Sequence, residues 1–226
     1  MYMHKERYMM PLSHDEVVHG KASMIYKMKG DEWQKFANLR TLYTFMYTHP
    51  GAKLMFMGNE IAQTSEWNFA KSLDWHLLEY PIHQGMNDFV KALNHLYRFE
   101  KSLYQLQFDP SGFEWVEAND EQNSVYVYLR KGETPHDETM TILNMTPRVL
   151  DYTIGVDELS TWSVILNSDE EKFGGSGIHA EVFKTSSKNW MNKPESIVVR
   201  LPALSGVVLK RGQDGRVAKK KRVSKK

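Results

Sequence analysis

The chain has 226 residues, 41% of them hydrophobic and 25% charged, which is ordinary for a soluble globular protein. Cysteine is absent, which excludes disulfide and thiolate chemistry. The formal charge of +1 hides a division: residues 216–226, RVAKKKRVSKK, carry seven Lys and Arg and no acid, while the other 215 residues carry 22 basic and 28 acidic side chains.

Residues 7–14 read as a short buried strand that ends in the polar cluster Ser13-His14-Asp15-Glu16. The next segment is the clearest helix. Trp33, Phe36, Ala37, Leu39, Leu42, Tyr43 and Met46 recur at three- and four-residue spacings and make one apolar face. Asp31 is its expected N-cap, and His49-Pro50-Gly51 ends it, because proline cannot continue a helix. Leu54-Met55-Phe56-Met57 is apolar without alternation, as expected of a strand covered on both faces, and it too ends in Gly58-Asn59-Glu60. A loop bearing Trp67 and Trp75 follows. A second helix is predicted over 85–103, with Phe89, Leu93, Leu96 and Tyr97 on one face. Strand–loop–helix thus occurs twice. In α/β folds, the carboxyl ends of parallel strands are where functional loops gather.

From residue 108 the pattern changes. Short β-type runs separated by turn residues cover 112–118, 123–131, 138–146, 148–155, 162–168, 196–202 and 204–211, and many of them alternate. They predict an all-β antiparallel sandwich. Residues 168–195 read as a polar, Gly/Ser-rich connection. Trp33 and Phe36 are expected in the helix core, and Trp115 and Trp162 inside the sandwich. No apolar run reaches the length of a membrane span and no leader pattern is evident, so a cytoplasmic protein is expected, with no membrane partner. The basic tail reads as a solvated terminus, with nucleic-acid binding as its alternative.

The cluster at 13–19 admits three readings. His14 and His19 superficially fit a zinc site, but five residues amount to about 140° off a common helix face, and Pro11 and Gly20 argue against a helix there. A bland reading has Asp15 or Glu16 capping local backbone. The third is carbohydrate chemistry, which needs carboxylates beside a sugar ring, a neutral histidine that donates to a hydroxyl, and flat aromatic faces. His76, His83, His136 and His49 carry no assignable role.

Three longer stretches discriminate among these readings. LSHDEVVHGK (12–21), WQKFANLRTLYTFMYTHPGAKLMFMGNE (33–60) and EWNFAKSLDWHLL (66–78) closely resemble bacterial 1,4-α-glucan (glycogen) branching enzymes, of the α-amylase-like glycoside hydrolase group. FDPSGFEWV (108–116) and ILNMTP (142–147) resemble the start of that family's C-terminal domain. The resemblance implies that residues 1–105 are the last two strand–helix units of a (β/α)8 TIM barrel. It implies that 106–211 form the following β-sandwich; 212–226, from its block of basic residues, is expected to be a disordered tail. Asp15 then matches the family's third catalytic carboxylate and His14 a contact to the same sugar. Trp67 and Trp75 lie where a barrel places its site, with sugar contact and structural packing both open.

The family's reaction is retaining. It cleaves an α-1,4 linkage and transfers the glucan to a 6-hydroxyl, with no cofactor or metal. Its nucleophilic Asp and acid/base Glu come from earlier strands, and neither Glu16 nor Glu60 matches them. Met1 is therefore expected to be an internal methionine or a fragment boundary, the chain to be inactive alone, and the missing upstream part to be a partner alongside α-glucan. Two units of an eight-unit barrel leave open strand edges and unpartnered helix faces. The remnant is accordingly expected to be unstable by itself, whereas the sandwich is not. The alternative function is a non-catalytic glucan-binding or interaction module.

Overall fold

The computed structural model describes residues 6–158 and 160–212, so residues 213–226, which hold the basic tail, lie outside the described residues. The first strand, β1 (Met9–Leu12), pairs in parallel with β2 (Ala52–Met55), from Met9↔Ala52 to Leu12↔Met55. Between them lie a 3-10 turn (His14–Glu16), the short helix α1 (Met24–Lys27) and the helix α2 (Glu32–Thr48). Helix α3 (Pro81–Phe99) follows β2 after a long loop, and α4 (Lys101–Tyr104) adds one turn.

Local chemistry sets the helix ends. Asp31 accepts from the Gln34 backbone N–H at 2.8 Å and Gln34 Oε1 accepts from Asp31 N–H at 3.0 Å, which forms a capping box. Helix α3 starts at Pro81 rather than at 85, because a proline at the first helical position lacks only an N–H that would have had no partner. It stops at Phe99, and Glu100 caps the separate turn of α4.

Both strands differ from the expectation of burial. β1 alternates between exposed and half-buried residues, and every residue of β2 is half-buried. In register, Met10, Leu12 and Met55 face the helices and pack against their core. The opposite face has no such layer among the described residues, and Met9 is exposed. An apolar run without alternation is necessary for two-sided burial but does not supply the second layer.

The β half comprises β3 (Phe113–Asp120), β4 (Val125–Lys131), β5 (Glu138–Asn144), β6 (Leu150–Val156), β7 (Trp162–Asn167), β8 (Glu181–Ser186), β9 (Glu195–Leu201) and β10 (Ser205–Arg211). They form a five-stranded sheet ordered β3-β4-β5-β10-β7 and a three-stranded sheet ordered β6-β9-β8, antiparallel throughout. Val125, Val127, Ile142 and Val207 of the first sheet share a core with Ile154, Ile197, Val199 and Leu201 of the second. This is a β-sandwich, as the alternation predicts. Strand β8 lies in the stretch read as a polar connection. Its register shift between Val182 and Lys184 interrupts the alternation that reveals a strand.

The two halves are joined through α2, which is buried on more than its predicted face. Leu39, Tyr43 and Met46 join the core shared with α3, while Arg40, Thr41, Thr44 and Thr48 meet the β half. Thr41 Oγ1 donates to Leu204 O at 2.8 Å, and the Thr48 and Tyr128 hydroxyls lie 2.6 Å apart. Gly206 leaves α2 room to approach, since a Cβ there would meet Thr44 at 2.5 Å. Arg40, itself buried, donates to Ser168 O (2.7 Å) and Phe173 O (3.0 Å). Arg130, fully buried, donates to the carbonyls of Thr48 (2.6 Å), Gly112 (3.1 Å) and Leu103 (3.1 Å). Burial pushes both guanidinium groups down to about 10, so both stay charged at neutral pH. The segment Glu171–Phe173 reaches from the sandwich, and Phe173 packs on Phe89 of α3 with ring centroids 5.2 Å apart. The expectation of a helix with unpartnered faces is therefore corrected for α2, which the sandwich covers.

Two tryptophans depart from expectation. Trp33 is half-buried and outside the helical core, although Phe36 is in it, because the core-facing arc has moved toward the following turn. Trp115 is exposed on the outer face of β3, against Phe113, Tyr126 and Tyr128. Strand alternation settles which residues share a face but not which face turns inward. Trp162 packs against the sandwich core, as expected.

Candidate functional site

The site grows from the end of β1. Ser13 caps the 3-10 turn His14–Glu16, its hydroxyl accepting from Asp15 N–H at 3.2 Å. The chain then turns on itself, with Val17 N–H and Val18 N–H donating to His14 O at 2.9 and 3.1 Å. Such a turn raises successive side chains off the strand end. Asp15 stands out, its side chain 67% accessible and therefore open to a ligand. The nearest His14 nitrogen lies 3.5 Å from its carboxylate.

The second strand brings the apolar wall. The His14 ring lies 6.0 Å from that of Phe56 and 6.5 Å from that of Trp67, and the last two meet edge to face at 5.2 Å. Trp67 is half-buried, and its backbone N–H donates to Val17 O at 2.8 Å, which docks the tryptophan loop onto the turn after Asp15. Val17 is buried beneath. Glu66, the preceding residue, accepts from Ala22 N–H (2.8 Å) and Gly20 N–H (3.0 Å) and lies 3.4 Å from His19 Nδ1. Those contacts, led by the Ala22 N–H, hold its carboxyl below the ordinary range.

His14, Asp15 and Trp67 are thus brought together, with Phe56 as a wall that the sequence did not single out. Trp75 is not part of the cluster: it is exposed at the start of the 3-10 helix Trp75–Glu79. Asp74 beside it hydrogen-bonds the Ser65 hydroxyl and, through its N–H, Gln63 Oε1 at 3.1 Å. Glu16 is exposed on the same turn as Asp15. Glu60 sits in the turn after β2, close enough to Tyr43 and Tyr47 to raise both phenols, an effect second to their burial. An exposed acid beside a histidine and two aromatic faces can hydrogen-bond and stack on a polyhydroxylated ring.

Comparison with known proteins gives the class first. Residues 115–212, most of the sandwich, match the family described as "Alpha amylase, C-terminal all-beta domain". The native debranching enzyme of Nostoc punctiforme shares the fold, with a TM-score of 0.59 at 16% identity over 85% of this chain and 34% of that one. The particular likeness is to 1,4-alpha-glucan branching enzymes. The enzyme GlgB of Cellvibrio japonicus is 50% identical over 93% of this chain, and that of Halothermothrix orenii is 46% identical over 93%. The chain spans 28% and 34% of the lengths of those two relatives. It is similar to a C-terminal portion of a branching enzyme.

Proposed function

We propose that this chain is the C-terminal part of a 1,4-α-glucan branching enzyme of glycogen biosynthesis, acting in the cytoplasm. Residues 1–105 supply the last two strand–helix units of its (β/α)8 barrel, residues 106–211 its C-terminal sandwich, and 212–226 a basic tail. Asp15 is the third carboxylate of the site. It accepts hydrogen bonds from hydroxyls of the donor sugar, strongest as the ring distorts toward the oxocarbenium-like state. His14 donates to the same sugar. Trp67 offers a stacking face, and Trp75 a second contact further along the glucan. The nucleophile and the acid/base come from an upstream polypeptide, so the chain alone does not transfer glucan.

The observation that carries this reading is the 50% identity along 93% of the chain to a branching enzyme, with Asp15 exposed beside His14 and Trp67. The test is to mix the purified chain with a separately made upstream fragment and amylose, and to count new α-1,6 branch points. Branching is expected from the mixture, not from the chain alone, and Asp15→Asn abolishes it. Branching by the chain alone, or no complex with the upstream fragment, overturns the proposal.

A second reading, a glucan-binding module without chemistry, is favoured by the exposed Trp115 and Tyr126, side by side on the outer face of the sandwich. Retention of the chain on immobilised glycogen, lost in Trp115→Ala, supports it. Passage straight through the column counts against it.

A further inference from the structure

We propose that Glu66 is a positioning residue of this site: its carboxylate ties the turn after Asp15 to the loop that carries Trp67, and so sets the separation of the carboxylate from the aromatic wall. The inference rests on the reading of His14, Asp15 and Trp67 as a glucan contact.

The turn at 17–22 has little regular structure to hold it. Its internal bonds are short-range, from Val17 and Val18 to His14 and from Lys21 to Val18. Gly20 and Ala22 both adopt left-handed backbone, at φ 83° and 63°. Alanine rarely does so, because its Cβ crowds the backbone, and such a residue persists only where its surroundings over-determine it. Glu66 provides that constraint. The two left-handed residues turn the N–H groups of Gly20 and Ala22 toward one point, and the carboxylate occupies it. Oε1 lies 3.0 Å from Gly20 N and 2.8 Å from Ala22 N, and Oε2 lies 3.1 Å from Gly20 N. Converging backbone N–H groups make an anion site, and bonds to a charged acceptor are stronger than neutral ones.

The placement matters as much as the strength. Glu66 adjoins Trp67, whose own N–H is bonded to Val17 O, and Asp15 lies two residues before Val17. A backbone bond and a carboxylate clamp therefore join the same two loops at adjacent residues. Two such points fix both distance and angle, where one leaves a hinge. Without Glu66, the one backbone bond that remains between the two loops among the described residues is Trp67 N–H to Val17 O, and the turn that carries His14 and Asp15 can tilt about it. The position of a sugar-binding carboxylate is sensitive to shifts of an ångström. His19, fully exposed, also faces Glu66 on this turn, with its Nδ1 3.4 Å from Oε2.

The experiment uses the full chain, labelled with 15N, as wild type, Glu66→Ala and Glu66→Gln. Gln retains one acceptor oxygen without the charge, so a partial clamp is expected. In Glu66→Ala the amides of Gly20 and Ala22 are expected to exchange at least tenfold faster. The His14 ring and Trp67 indole resonances should shift, while the thermal midpoint of the chain stays within a few degrees of wild type. Glu66→Gln should lie between the two. Unchanged His14 and Trp67 resonances in Glu66→Ala overturn the positioning role. A Glu66→Ala chain that loses its fold globally overturns it as well, since the residue is then a stability element. Maltoheptaose is then titrated into wild type. If it moves none of His14, Asp15 or Trp67, the glucan reading of the site fails, whatever the Glu66 variants show. If it moves them in wild type and requires at least fivefold more ligand in Glu66→Ala, with partial recovery in Glu66→Gln, the proposal stands.

Discussion

Arg130 is the clearest test of how the two halves hold together. Its guanidinium serves three carbonyls from three separate segments: Thr48 at the end of α2, Leu103 in α4, and Gly112 just before β3. A cation beside two helix C-termini also meets their negative dipole ends. Arg130→Met fills much of the same space but strands all three oxygens. Each stranded buried carbonyl costs about 1–3 kcal/mol, and the recovered desolvation of the guanidinium offsets part of the sum. A net loss of about 3–5 kcal/mol is expected, in the range measured when one partner of a buried charge network is removed. With a urea slope of about 2–3 kcal/mol/M, the unfolding midpoint falls by roughly 1–2.5 M. The assay is urea unfolding followed in parallel by circular dichroism and tryptophan fluorescence. In wild type the two probes should coincide. In Arg130→Met the helical signal should be lost first, because α2 and α4 are the elements released. Arg130→Lys, with one nitrogen for three carbonyls, should fall between. A midpoint change worth less than about 0.5 kcal/mol, the usual scatter of a surface substitution, refutes the argument.

Gly206→Ala should lower stability by about 1–3 kcal/mol, read as a lower thermal midpoint, because the new Cβ meets Thr44 at 2.5 Å and pushes α2 off β10. Asp31→Ala removes the acceptor of the α2 capping box and should cost about 0.5–2 kcal/mol in the same assay. Lys53 is pushed down to about 7, first by burial and then by Arg130, and it donates to His49 O beneath the Tyr97 ring. Because the unfolded chain binds that proton up to its ordinary value near 10.4, wild-type stability should rise between about pH 7 and 10. Lys53→Met should be flat over that window, and a parallel rise in the variant contradicts the assignment. Glu114, although burial pushes it up, is held below the carboxylate range by Lys131 and Lys193. Its contribution is present above about pH 4.3 and is lost as pH falls below that, so Glu114→Gln should blunt acid unfolding and leave the profile above pH 5 unchanged in shape.

Much of this protein was legible in its sequence, and the reasons are local. The α2 boundaries follow from Asp31 and Pro50, residues whose backbone chemistry acts within one turn. The sandwich strands follow from alternation, as in Val125, Val127 and Leu129, which all reach the core. The cluster His14-Asp15 stood out because charged groups end an apolar run. Other features depend on which surfaces meet. Arg40 and Arg130 look like ordinary surface cations until backbone carbonyls from distant segments surround them. Trp115 obeys strand alternation and still faces outward. Glu66 gains its role from Gly20 and Ala22, more than forty residues earlier in the chain. Periodicity and capping are properties of neighbours along the chain, so the amino-acid order alone determined most of the elements and their types, although not β8. Burial, hydrogen-bond partners and the meeting of His14 with Trp67 are properties of neighbours in space, and only the tertiary structure decided them.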